Sequence, residues 1–179
     1  LNPKRKQRAV PGLEKYHKTD TFLTEALTIE AKAEIDTALA KKKPFFLYMA
    51  HYAVHSPFQS DPRFAANYAE SDKKKNGKAF ATLVEGIDKS LGDLMNHLES
   101  KKIAKQTLII FMGDNGSAGP IGGANEIAVS APLRGKKGSL WEGGTRVPFI
   151  AAWASPQSDH PLQDKLPIKA GAIQSRMGV

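Results

Sequence analysis

The chain has 179 residues, enough for one ordinary domain or a piece of a larger one, and its 26 Lys and Arg against 18 Asp and Glu give a net charge of +8. A hydrophobic fraction of 41% with 25% charged residues excludes a disordered or fibrous chain, and no apolar run approaches the roughly 18 residues of a membrane span. Cysteine is absent, which excludes disulfides, Fe–S clusters, thiolate zinc sites and any encoded cysteine nucleophile.

Residues 1–21 contain Pro3, Pro11 and the cations Lys4, Arg5, Lys6 and Arg8, and lack periodicity. They read as a basic lead-in from an upstream part, without a signal-peptide apolar core. Leu23, Leu27, Ala31, Ile35 and Leu39 then recur every four residues, which predicts a helix with Thr24 as N-cap and Lys41–Lys43 at its negative end, stopped by Pro44. The apolar run Phe45–Ala50 predicts a central strand buried on both sides. Ser60, Asp61 and Pro62 signal a short helix reaching Ala69. Phe80, Leu83, Val84, Ile87, Leu91, Leu94, Met95 and Leu98 carry the strongest helical pattern, and Thr107–Met112 predicts a second buried strand. Strand, helix, strand in that order predicts a right-handed βαβ crossover on a parallel sheet. Ser117–Thr145 is Gly-rich and pattern-free, and longer than an idle connector. Val147–Trp153 predicts a third, edge strand, and the tail from Ser155 reads as loop. The class is α/β, a thin sheet that reads as part of a larger one.

In open parallel sheets, ligands gather at the carboxyl ends of strands. The first predicted strand ends near His51 and His55, and the second in Asp114-Asn115. Asp114 and Asn115 offer hard oxygen ligands for calcium or magnesium, but they also fit an Asn-Gly turn, and two ligands do not fill a shell of about six to eight oxygens. His51 and His55 are four apart, as in a helical zinc pair. No Glu sits between them at the required place and Pro57 follows, so proton transfer suits the segment better. Each histidine also reads as a partly buried, hydrogen-bonded residue, and for His51 that is the better reading. Lys136 and Lys137 lie among glycines, where a Lys can neutralise an oxyanion or simply be solvated. No phosphate-binding P-loop, dinucleotide fingerprint or Gly-x-Ser-x-Gly elbow occurs.

Three motifs in order, Pro44–Gln59 (PFFLYMAHYAVHSPFQ), Phe111–Gly116 (FMGDNG) and Ala131–Pro148 (APLRGKKGSLWEGGTRVP), resemble those of the type I sulfatases. The resemblance covers about residues 22–154 and implies a partial alkaline-phosphatase-like α/β fold with a mostly parallel sheet flanked by helices, residues 155–179 continuing toward a downstream part. It implies a sulfuric ester hydrolase acting on carbohydrate or aryl sulfates. Asp114 and Asn115 then look like half of a Ca2+ site. His55, followed by Ser-Pro, resembles the histidine that contacts sulfate and protonates the leaving alcohol, and Lys137, before Gly138, the lysine that binds sulfate oxygens. Glu142, Gly143, Gly144 and Arg146 are expected to shape the loop. The family's formylglycine nucleophile comes from a Cys/Ser-x-Pro-x-Arg motif. Ser130–Arg134 fits it formally but lies in the lysine segment, so the nucleophile and the first metal ligands are expected upstream and the isolated chain is expected to be inactive. Periplasmic or secreted localisation follows from the family, and no nucleic acid or membrane span is expected. The rival enzyme reading is a phosphoesterase or phosphonate hydrolase of the same superfamily. A polyanion-binding module, the reading of another class, would bind duplex DNA with a steep salt slope.

Overall fold

The computed structural model describes residues 10–72, 74–118 and 130–168, so Lys4, Arg5, Lys6, Arg8 and the tail beyond 168 lie outside the described residues. The described residues fall into two compact units, one up to residue 94 and one comprising residues 95–118 and 130–168.

The first unit is built on helix α1 (Leu23–Ala40) and most of helix α2 (Lys75–Ser100). The predicted N-cap shifts: Phe22 occupies that place without a side-chain cap, and Thr24 is buried inside the helix. The buried side of α1 carries Thr24, Ala26, Thr28, Ala31 and Ile35, whereas Leu23, Leu27 and Leu39 are only half-buried. Small and hydroxylated residues are selected there because α1 meets α2 through a polar contact: Thr28 Oγ1 donates to the Thr24 carbonyl at 2.7 Å and lies 2.6 Å from Ser90 Oγ. Pro44 does not end the helix. The stop comes earlier, where Lys42 adopts φ +52° and the amides of Lys42 and Lys43 return to the carbonyls of Leu39 and Ala38. α2 ends in the same way, with Lys102 at φ +61° and Ile103 N–H on the Leu98 carbonyl.

The expected short helix after Ser60 is a turn followed by a single 3-10 turn, Ala65–Tyr68. The Asp61 carboxylate caps the first turn, its Oδ1 accepting the Arg63 backbone N–H at 3.1 Å. Asp61, fully buried, receives Arg63 Nε at 3.0 Å and Nη2 at 2.7 Å, while its own amide donates to Thr82 Oγ1 at 2.9 Å. That pins the turn to α2.

In the second unit, β1 (Leu108–Met112) pairs antiparallel with β2 (Phe149–Trp153), from Leu108 opposite Trp153 to Met112 opposite Phe149. The ladder runs on at both ends through Ala154 N–H to Thr107 O at 2.9 Å and Gly113 N–H to Pro148 O at 3.0 Å. One-turn helices α3 (Glu142–Thr145) and α4 (Pro161–Lys165) complete the unit, the latter where the tail was expected to be loop.

Two expectations about the sheet are corrected. Phe45–Ala50 is extended but pairs with no strand among the described residues, and it is covered on one side only: Phe45, Leu47 and Met49 are half-buried while Phe46 is 94% exposed. The parallel βαβ pairing is therefore not formed among the described residues, whose one sheet is the antiparallel β1–β2 pair. The physical reason is that an apolar run states a need for burial and leaves its partner strand unspecified. β1 satisfies its ladder with β2, which lies antiparallel to it.

Candidate functional site

His51 and His55 leave the extended segment in the first unit and face different partners. His51 is half-buried, its Nε2 lying 3.4 Å from Ser90 Oγ. Thr28 spends its only proton on the Thr24 carbonyl, so Ser90 donates to Thr28 and the His51 Nε2–H donates to Ser90. That leaves Nδ1 unprotonated, buried and without a partner among the described residues. Burial pushes the His51 pKa below its ordinary value. Its folded pKa being the lower one, the unfolded chain takes up the proton first as pH falls. Stability is full above the unfolded pKa of about 6.5 and is lost progressively below it. Thermal stability should therefore fall between pH 7 and 5 more steeply in the parent than in His51→Gln, and equal slopes would contradict the buried neutral imidazole. The reading of His51 as a half-buried, hydrogen-bonded residue matches this geometry.

His55 is exposed, with Nδ1 2.8 Å from the Ser56 carbonyl. A carbonyl only accepts, so Nδ1 carries the proton and Nε2 is the nitrogen left for chemistry. Tyr52 OH donates to the same carbonyl at 2.8 Å, and its ring meets the His55 ring edge-on with centroids 5.7 Å apart. Tyr52 thus orients the imidazole. Sequence reading missed it, because a Tyr three places before a His in an irregular segment follows no period.

Asp114, Asn115 and Lys137 belong to the second unit. Asp114 and Asn115 directly follow β1 at its carboxyl end, as expected, although the strand beside them runs the other way. Asp114 is exposed, and Asn115 Nδ2 donates to the Gly116 carbonyl at 3.1 Å, which leaves its Oδ1 for another partner. The loop is joined to the lysine segment by two backbone bonds, Lys137 N–H to Ser117 O at 2.7 Å and Gly116 N–H to Gly144 O at 2.9 Å. The structure therefore brings the Asp114-Asn115 loop and Lys137 onto one scaffold, with His55 in the other unit.

Lys136 and Lys137 are both exposed, and Ser139 ties the Lys136 backbone through its hydroxyl and its amide. Gly143 and Gly144 are buried, with Gly143 N–H donating to the Arg134 carbonyl at 2.7 Å. Glu142 and Arg146 pair across one helical turn at 3.6 Å. Each of these four shapes the loop. Ser130 Oγ donates to the Gly143 carbonyl at 2.9 Å, the bond of a structural hydroxyl.

The donors at Asp114-Asn115 are an exposed carboxylate and an amide oxygen, a chemistry that fits a hard divalent cation. They form part of a shell: among the described residues no group of three or more His, Cys, Asp or Glu could hold a metal.

Comparison with known proteins bears on this arrangement. The sequence model of the Sulfatase family matches residues 2–169. The chain is 36% identical over 144 residues to mouse N-acetylgalactosamine-6-sulfatase, covering 78% of this chain and 26% of that protein. It is 32% identical over 141 residues to N-acetylgalactosamine-6-O-sulfatase of Bacteroides thetaiotaomicron, covering 75% and 26%. Among solved structures, Ps i-CgsB in complex with k-i-k-neocarrahexaose is similar at 40% identity and a TM-score of 0.64, covering 74% of this chain and 28% of that one. The chain thus spans about a quarter of the length of these relatives.

Proposed function

We propose the following role for this chain, which belongs to the sulfatase family and has part of its alkaline-phosphatase-like α/β fold: it supplies metal ligands, a leaving-group acid and a sulfate-binding lysine to the hydrolysis of carbohydrate sulfate esters. The observation that carries this reading is the pair of backbone bonds from Gly116 and Lys137, which fixes oxygen donors and a cation on one scaffold. Lys137 would neutralise sulfate oxygens as charge shifts toward the leaving oxygen. His55, its Nδ1–H held by the Ser56 carbonyl, would in its protonated form give the Nε2 proton to that oxygen. Asp114 and Asn115 would hold Ca2+, which when bound supplies further charge neutralisation at the sulfate.

The formylglycine nucleophile does not fit this chain. It has no cysteine, and Ser130 is bound to Gly143, so no step is assigned to these residues. The names of the relatives, N-acetylgalactosamine-6-sulfatase among them, support a carbohydrate sulfate as substrate, and the periplasm or the outside of the cell is the location we propose with it.

The test is to incubate the intact protein carrying this chain with Ca2+ and either a sulfated monosaccharide or the matching phosphate ester, and to measure the released anion. Sulfate release well above phosphate release is expected. Preferential phosphate release would select the phosphoesterase reading, and release of neither would sink both.

A further inference from the structure

We infer that Arg134, laid on the ring of Trp141, forms an anion subsite beside Lys137 that reads a second sulfate on an extended carbohydrate. The inference rests on the sulfate-ester reading above and narrows its substrate class to a carbohydrate carrying more than one sulfate.

Three observations lead there. The Arg134 guanidinium carbon lies 3.6 Å from the Trp141 ring centroid, well inside cation–π range. Arg63 and Arg146 face carboxylates, Asp61 and Glu142, at 2.7 and 3.6 Å, whereas Arg134 pairs with no carboxylate among the described residues. Its charge rests on an aromatic face at an exposed position, Trp141 itself being 52% exposed.

The loop holds the stack from below. The Arg134 carbonyl accepts Gly143 N–H at 2.7 Å, and Gly135, at φ +85°, turns the chain so closely that a Cβ there would meet Trp141 and Ser139. A guanidinium fixed by one face keeps its in-plane N–H groups available, and that fork matches two oxygens of a sulfate. Lys137 is three residues further on, so the two Cα atoms are at most about 11 Å apart. At that spacing anions on neighbouring sugars can occupy both positions.

The test uses the intact protein and two disaccharides that differ only in a second sulfate on the neighbouring sugar. In the parent, kcat/KM for the disulfated sugar should exceed that for the monosulfated one by about tenfold, the worth of one charge-assisted contact. Arg134→Gln should bring this ratio close to one, chiefly through KM. Lys105→Gln, which removes an exposed charge elsewhere in the same unit, should leave it unchanged. A parent ratio near one, an unchanged ratio in Arg134→Gln, or an equal collapse in Lys105→Gln would each overturn the subsite. If the intact protein turns over neither sugar, the hydrolase reading fails. Equilibrium dialysis with the same sugars then decides the subsite: about tenfold weaker binding of the disulfated one to Arg134→Gln supports it, and equal binding overturns it.

Discussion

Lys137→Ala in the intact protein should lower kcat/KM for a carbohydrate sulfate by about 10²- to 10³-fold, the effect of removing one fixed donor from a developing oxyanion. Lys136→Ala should stay close to the parent. Both side chains are exposed, so the distinction rests on what each backbone holds. Lys137 N–H donates to Ser117 O at 2.7 Å, which fixes that residue against the loop carrying Asp114 and Asn115. Lys136 is closed into a local turn by Ser139, whose hydroxyl accepts its N–H at 3.1 Å and donates to its carbonyl at 2.8 Å. A loss that follows Lys136 instead would mean that the sulfate oxygens meet the other lysine.

The elements that could be read in advance were those whose signal is local. The eight apolar residues from Phe80 to Leu98 repeat at helical spacing, and α2 covers all of them. The runs that became β1 and β2 were visible as the apolar segments Thr107–Met112 and Val147–Trp153. What was not legible concerns partners. Phe45–Ala50 has the composition of a doubly covered strand, yet nothing in those six residues names the neighbour that would cover Phe46 and Tyr48. The same limit rotated the buried side of α1. Leucine spacing marked Leu23, Leu27 and Leu39, whereas the close contact with Ser90 needed the smaller Thr24 and Thr28. A hydrophobic scale does not rank a threonine buried by a hydroxyl pair.

The site divides along the same line. Asp114, Asn115, His55 and Lys137 stand out as candidates in the sequence because their types carry chemistry and their neighbours spell motifs. Tyr52 and Arg134 could not, because their interest lies in what they touch: the Ser56 carbonyl and the Trp141 ring. Both are held by glycine- or proline-containing turns, whose geometry depends on contacts distant in sequence.

That dependence has its largest expected cost at Gly143. Its N–H reaches Arg134 O, its carbonyl accepts Ser130 Oγ at 2.9 Å, and a Cβ there would run into the carbonyls of Gly135 and Arg134. Gly116 comes so close from the β1 side that a Cβ on it would strike the Gly143 carbonyl. Backbone cannot step aside as a flexible side chain can. Gly143→Ala should therefore destabilise the intact protein by about 3 kcal/mol, a large share of a typical stability of roughly 5–15 kcal/mol. Gly92→Ala is the informative contrast: it lies within α2 with nothing within 4 Å of its would-be Cβ. Helix propensity then favours alanine by up to about 1 kcal/mol. Chemical denaturation of the two variants should give shifts of opposite sign. If Gly143→Ala unfolds at the parent midpoint, the loop that carries Lys137 and Arg134 is not held by the crossing described, and the fixed placement of both cations loses its physical basis.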